Sequence, residues 1–190
     1  MVRVLLAFLL LPGIARAGDE DPWPVRTRSF SVSFMAGQTF SHSPDGFSET
    51  AVPNLEAGWT VSARLELGIE LHPVLWINQP RTPDGTDRQN TLAFAGDAIL
   101  RWYPVRTGRR FAPYAEIALG LCGSPDRIPP SGTPLNFLVQ AGAGMAVKTG
   151  KRWSTVVGLR WMHLSNGNYG EHNPGVNFAV LLVGGRLSLP

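Results

Sequence analysis

Alternation of apolar and polar residues with period 2, not a helical repeat, organises this chain. Alternating segments predict eight strands, over residues 29–38, 53–61, 64–77, 91–103, 111–122, 135–148, 152–165 and 177–189. The third sets Leu65, Leu67, Ile69, Leu71, Leu75 and Ile77 on one face against Arg64, Glu66, Gly68, Glu70 and His72 on the other. The fifth opposes Phe111, Ala115, Ile117, Leu119 and Leu121 to Tyr114, Glu116 and Gly120. The sixth sets Leu135, Phe137, Val139 and Met145 against Asn136, Gln140, Gly142 and Gly144. In the eighth, Ala179, Leu181, Val183, Leu187 and Leu189 oppose Gly184, Arg186 and Ser188. The connections alternate as well. Long, turn-rich stretches fall at 39–52, 78–90, 123–134 and 166–176, and short ones at Ser62-Ala63, 104–110 and Thr149-Gly150-Lys151. That rhythm predicts an all-β fold, an eight-stranded antiparallel up-and-down β-barrel.

Which face lies inside decides what kind of barrel it is. With the apolar face inside, the protein would be a lipocalin-like soluble binder. With the apolar face outside, the lumen receives Glu56, Arg64, Glu66, Glu70, Asp97, Arg101, Glu116, Arg160 and Arg186. These charges nearly balance, as a buried paired network requires. Glycines interleave with them, which suits the narrow interior of eight strands. Trp59, Trp102, Trp161 and Phe111 near strand ends resemble interfacial aromatic girdles. The expected architecture is therefore a transmembrane β-barrel of outer-membrane type, with His72 a hydrogen-bonded member of its interior network.

Composition sharpens this. With 21 Gly and 16 Pro, long helices are improbable. Residues 1–17 have the form of an export signal: Arg3, an apolar Val4 to Ile14, and Ala15-Arg16-Ala17 as an A-x-A cleavage site. Residues 18–190 then form one domain. Cleavage would remove two of the 17 basic residues and none of the 14 acidic ones, taking the formal charge from +3 to +1. The basic balance thus gives no reason to expect nucleic acid. One cysteine, Cys122, excludes an intrachain disulfide framework and reads as structural.

The candidate chemistry lies near the C-terminus. His163 and Ser165 share a face of the seventh strand with Thr155, Val157, Leu159 and Trp161. With the N-terminus on the periplasmic side, both sit at the outer end of that strand. Asn177 has lipid-facing parity at the outer start of the eighth strand, within ~5 Å of its hairpin neighbour. A serine hydroxyl needs an imidazole to take its proton, and the imidazole needs a third group to hold its tautomer. Ser165 is the expected nucleophile, His163 the general base, Asn177 the orienting group and Asn166 a possible oxyanion donor. Polar groups on an otherwise apolar face either perform such chemistry or mark where hydrocarbon gives way to headgroups. No H-E-x-x-H or G-x-S-x-G motif is present. His163, His172 and Glu171 make a poor metal site on a glycine-rich loop, so neither metal nor cofactor is expected. His42 reads as a solvated loop residue.

The segment from Arg160 to Asn166, with Asn173-Pro174-Gly175-Val176-Asn177, resembles the signature of the lipid A 3-O-deacylases (PagL-type acyloxyacyl hydrolases). Phe111 to Glu116 and Gln140 to Gly144 are similar to that family's fifth and sixth strands. The resemblance implies an esterase of the Gram-negative outer membrane, in contact with its lipid. The implied substrate is lipid A within lipopolysaccharide, losing its ester-linked 3-position acyl chain. It also implies that the family's His and Ser are His163 and Ser165, and its asparagine Asn166. Characterised members carry glutamate where this chain has Asn177, and Glu171 is the nearby carboxylate that could stand in. The alternative is a catalytically weak or inactive barrel with a structural or surface-interaction role. A homodimer is compatible with either reading.

Overall fold

In a computed structural model the described residues are 27–40, 47–81, 87–105 and 110–189. The export-signal segment, His42 and parts of three connections lie outside them. Eight strands form: β1 (Arg28–Thr39), β2 (Glu49–Ser62), β3 (Leu65–Pro80), β4 (Arg88–Trp102), β5 (Phe111–Ile128), β6 (Thr133–Lys148), β7 (Trp153–Ser165) and β8 (Val176–Leu189). Each pairs antiparallel with its sequence neighbour, and β1 closes on β8 in register from Arg28↔Leu189 to Thr39↔Phe178. Closure leaves no unpaired edge, so every strand can lose contact with water.

The outer wall is apolar. Phe34, Ile69, Phe94, Leu119, Leu159 and Leu181 all project outward. Trp59, Trp102, Phe111 and Trp153 ring the end where β1 begins, β8 ends and the short connections lie. Such a band faces lipid, and it removes the lipocalin-like alternative.

Inside, four glutamates and three arginines form one continuous network. Arg160 grips Glu70 with both terminal nitrogens (2.7 and 2.8 Å) and reaches Glu116 at 2.5 Å. Glu116 hands on to Arg101 at 2.8 Å, which also meets Glu56 and Glu66, each at 2.9 Å. Those two glutamates bind Arg186, Glu56 at 2.7 Å, and Tyr103 accepts from Arg186 at 2.8 Å. His72 pairs with Asp97 at 3.0 Å, and Gln140 donates to the same carboxylate oxygen at 2.7 Å. Room for these bulky groups comes from glycine. A Cβ on Gly158 would lie 2.7 Å from the Tyr114 hydroxyl, and one on Gly144 would collide with it.

Three sequence expectations need correction. Arg64 is exposed in the turn between β2 and β3, where strand parity no longer applies, so it is outside the network. Leu75 and Ile77 face inward, because β3 carries one extra residue between His72 and Leu75. A one-residue bulge reverses every later side chain, and it follows Pro73, which cannot donate to the ladder. The 123–134 connection shrinks to 129–132 and the 39–52 connection to 40–48, because β5 continues to Ile128, β6 begins at Thr133 and β2 begins at Glu49.

The bulge has a structural result. Leu75 and Ile77 join Met35, Val52, Leu138, Met162, Leu164 and Phe178 in an apolar plug that fills the lumen toward the long-loop end. The lumen is thus layered, charged in its middle and apolar above. Removing a guanidinium should strand its carboxylates. Arg160→Ala is expected to lower stability by about 3–5 kcal/mol, measured by denaturant unfolding in detergent micelles. A loss under about 1 kcal/mol would mean that water, not Arg160, compensates Glu70 and Glu116.

Candidate active site

The site sits on the outer wall at the level of that plug. Strand β7 alternates to its end, so Met162 and Leu164 enter the plug while Trp161, His163 and Ser165 face out. Strand β8 does the same, with Val176 and Phe178 inward and Asn177 outward. Packing behind each outward residue fixes the strands from which the site projects.

His163 and Asn177 are direct partners across the β7–β8 ladder. His163 Nδ1 lies 2.9 Å from Asn177 Oδ1. The same oxygen accepts the indole Nε1–H of Trp161 at 2.9 Å. The Trp161 and His163 rings stack, with centroids 5.6 Å apart and planes 24° apart. Ser165 follows two residues on, half-buried and opposite Phe137 of β6. Among the described residues its hydroxyl has no hydrogen-bond partner.

Asn166 is buried and organises the loop that follows. Its backbone N–H donates to Asn173 Oδ1 at 3.0 Å, and its Nδ2 donates to the His172 carbonyl at 2.7 Å. Its Oδ1 accepts the Asn168 N–H at 3.0 Å. Gly167 and Asn168 take consecutive left-handed conformations (φ 63° and 67°), and the Tyr169 hydroxyl reaches Thr133 at 3.2 Å. The loop is thereby pinned to β6 and re-enters β8 through Gly175. A Cβ on Gly175 would lie 3.1 Å from His163 Cε1, so the glycine leaves the ring its space.

The structure therefore brings His163 and Asn177 into contact and places Ser165 beside them. Glu171 and His172 are exposed in the loop, and Nδ1 of His163 is occupied by Asn177. Among the described residues the cluster with metal-ligand spacing is Glu70, His72 and Asp97 in the lumen, not the loop residues. Its Glu70 is committed to Arg160 and its other two members to each other. Sequence reasoning missed Trp161 as a partner of Asn177. The available signal was its shared parity with His163 and the need of an indole N–H on a lipid-facing wall for an acceptor.

A closed eight-stranded barrel with an apolar wall and a filled, charged lumen defines an integral protein of the Gram-negative outer membrane, here with a serine, a histidine and an amide on its lipid face. Residues 54–186 match the family model described as "Lipid A 3-O-deacylase (PagL)", and the chain belongs to that family. The crystal structure of the outer membrane enzyme PagL is similar, with 18% identity, a TM-score of 0.58, and 81% of this chain and 97% of that chain covered. Neisserial surface protein A is 14% identical with a TM-score of 0.61, covering 86% of this chain and 97% of that one. OprG from Pseudomonas aeruginosa is 8% identical with a TM-score of 0.58, covering 90% and 99% respectively. At these identities the solved structures speak for the fold. No curated protein sequence matches this chain.

Gly175 supplies a direct check on the geometry. Gly175→Ala would place a side chain in the left-handed region against His163, at a cost of about 1–2 kcal/mol. Lowered thermal stability with shifted His163 imidazole NMR signals is expected. Unchanged signals would mean that the ring does not rest on this glycine.

Proposed function

We propose that this barrel is a serine esterase that removes the ester-linked 3-position acyl chain of lipid A. The observation that carries the reading is the His163 Nδ1–Asn177 Oδ1 hydrogen bond of 2.9 Å on the lipid face, beside Ser165. With Nδ1 carrying the proton, Nε2 keeps its lone pair and can act as base. Ser165 Oγ attacks the ester carbonyl while His163 Nε2 takes the hydroxyl proton. Collapse of the tetrahedral intermediate breaks the ester C–O bond, and the same proton passes to the departing sugar oxygen. His163 then deprotonates a water that attacks the acyl-serine carbonyl, and returns that proton to Ser165 Oγ as the C–Oγ bond breaks and the fatty acid leaves. The Asn166 amide has a second Nδ2 hydrogen beyond the one held by His172, and because Asn166 is buried it serves the oxyanion only when bound substrate displaces the loop over it. In this reading residues 1–17 direct export and residues 18–190 form the barrel domain.

Location favours the reaction as much as chemistry does. The three side chains leave the wall near the long-loop end, where the outer leaflet's headgroups meet its acyl chains. A lipid already in the membrane can present its ester there without leaving the bilayer.

The competing reading, a weak or inactive barrel, draws on Asn177. An amide can orient the imidazole but cannot neutralise the imidazolium by charge. In serine triads an amide in the acid position costs ~10⁴ in rate, chiefly by selecting the wrong tautomer. Here the amide oxygen faces the imidazole, so the penalty is confined to the missing charge.

Mass spectrometry of lipid A from cells expressing the protein tests the proposal. Loss of one ester-linked acyl chain is expected with the wild type, and none with Ser165→Ala or His163→Ala at equal barrel assembly. Intact lipid A with correctly folded wild-type protein would overturn the proposal. Asn177→Asp, which supplies the charge without changing size, should raise kcat on the order of 10- to 100-fold, short of the full triad penalty. A decrease would mean that the neutral amide is itself required.

A further inference from the structure

We propose that Trp161 is a positioning residue whose indole N–H fixes the orientation of the Asn177 amide and, through it, the tautomer of His163. Its catalytic consequence rests on the esterase reading above; its structural part does not. A primary amide has two different ends, an acceptor oxygen and a donor NH₂. Turned one way, Asn177 accepts the Nδ1–H of His163 and leaves Nε2 basic. Turned the other way it donates to Nδ1, which moves the ring proton to Nε2 and leaves nothing to accept the serine proton. A carboxylate presents oxygen in either orientation. An amide in this position needs something to choose for it.

Trp161 makes that choice. An indole Nε1 can only donate, and it lies 2.9 Å from the same Oδ1 that meets His163 Nδ1 at 2.9 Å. Flipping the amide would set NH₂ against the indole N–H, donor facing donor, so the Trp161 contact would be lost while the His163 contact reversed its direction. The stack between the two rings, 5.6 Å between centroids and 24° between planes, keeps both donors aimed at one oxygen. The backbone register explains how the indole reaches so far. Trp161 and His163 are two apart on one face of β7, His163 lies opposite Asn177, and Trp161 lies opposite the small Ala179. A small partner leaves the indole room to lean along the ladder toward Asn177, a diagonal contact within reach of an aromatic side chain.

The test removes only the donor. Trp161→Phe keeps a ring beside His163 but has no N–H, and heat-modifiable gel mobility confirms assembly. If that variant does not fold, benzothienylalanine incorporated at position 161 retains the indole shape without the donor. Nitrogen-15 NMR of histidine-labelled full-length protein in detergent micelles, at a pH where the ring is neutral, reads the tautomer directly. A His163→Gln variant identifies the signals.

The wild type is expected to hold the Nδ1–H form, and the donor-less variant a mixture of both forms. The kcat for lipopolysaccharide deacylation should fall about three- to tenfold, the worth of one hydrogen bond, with KM little changed. In an Asn177→Asp background the same replacement should cost less than about twofold, because a carboxylate cannot be misoriented. An unchanged tautomer in the donor-less variant would overturn the proposal. Equal losses in the two backgrounds would also overturn it, since Trp161 would then act by packing alone. If the wild type does not deacylate, the esterase reading fails, and the tautomer measurement still decides the role of Trp161.

Discussion

Pairing of three buried guanidiniums with four glutamates is the interaction on which the rest of this barrel depends. Arg101, Arg160 and Arg186 tie β4, β7 and β8 to carboxylates from β2, β3 and β5. Ionic groups are costly to bury, and a network of this kind persists only when each member is held by several others. By drawing charged residues to the inner face, it commits the alternate residues of every strand to the lipid. The polar residues left on that outer face then stand out chemically. His163, Ser165 and Asn177 are such residues, and strand parity alone carries them there.

The apolar plug above the network has a different role. Met162 and Leu164 flank His163 from behind, and Val176 and Phe178 flank Asn177. The site is thus built on two adjacent strands whose inner faces are packed, with the pinned 166–175 loop across its end. Rigid support of this kind keeps a catalytic constellation within the tolerance that acyl transfer demands. In the proposed esterase, an amide as third member makes that support more important, because orientation replaces part of what a charge would supply.

Much of this was legible from alternation. The eight strands, the inside-out assignment, the lumen position of His72 and the meeting of His163 with Asn177 follow from period-2 parity and up-and-down topology. Parity failed where its premise did. The extra residue after Pro73 reversed Leu75 and Ile77, which hid the plug, and Arg64 belongs to a turn that has no parity. Segments such as Ser124 to Ile128 looked like loop because Pro125 and Asp126 are turn formers, yet β5 continues through them with an irregular register. Parity places Trp161 in the aromatic girdle and on the face of His163, and no further. Its contact with Asn177 depends on a side-chain lean that alternation does not encode.

Reaction of outer-membrane preparations with an alkyl fluorophosphonate, read by mass spectrometry of the protein, tests most directly whether His163 activates Ser165 at the lipid face. One adduct on Ser165 is predicted, abolished by His163→Ala in an assembled barrel. A folded wild-type barrel that takes no adduct, or takes it on another residue, would contradict the account.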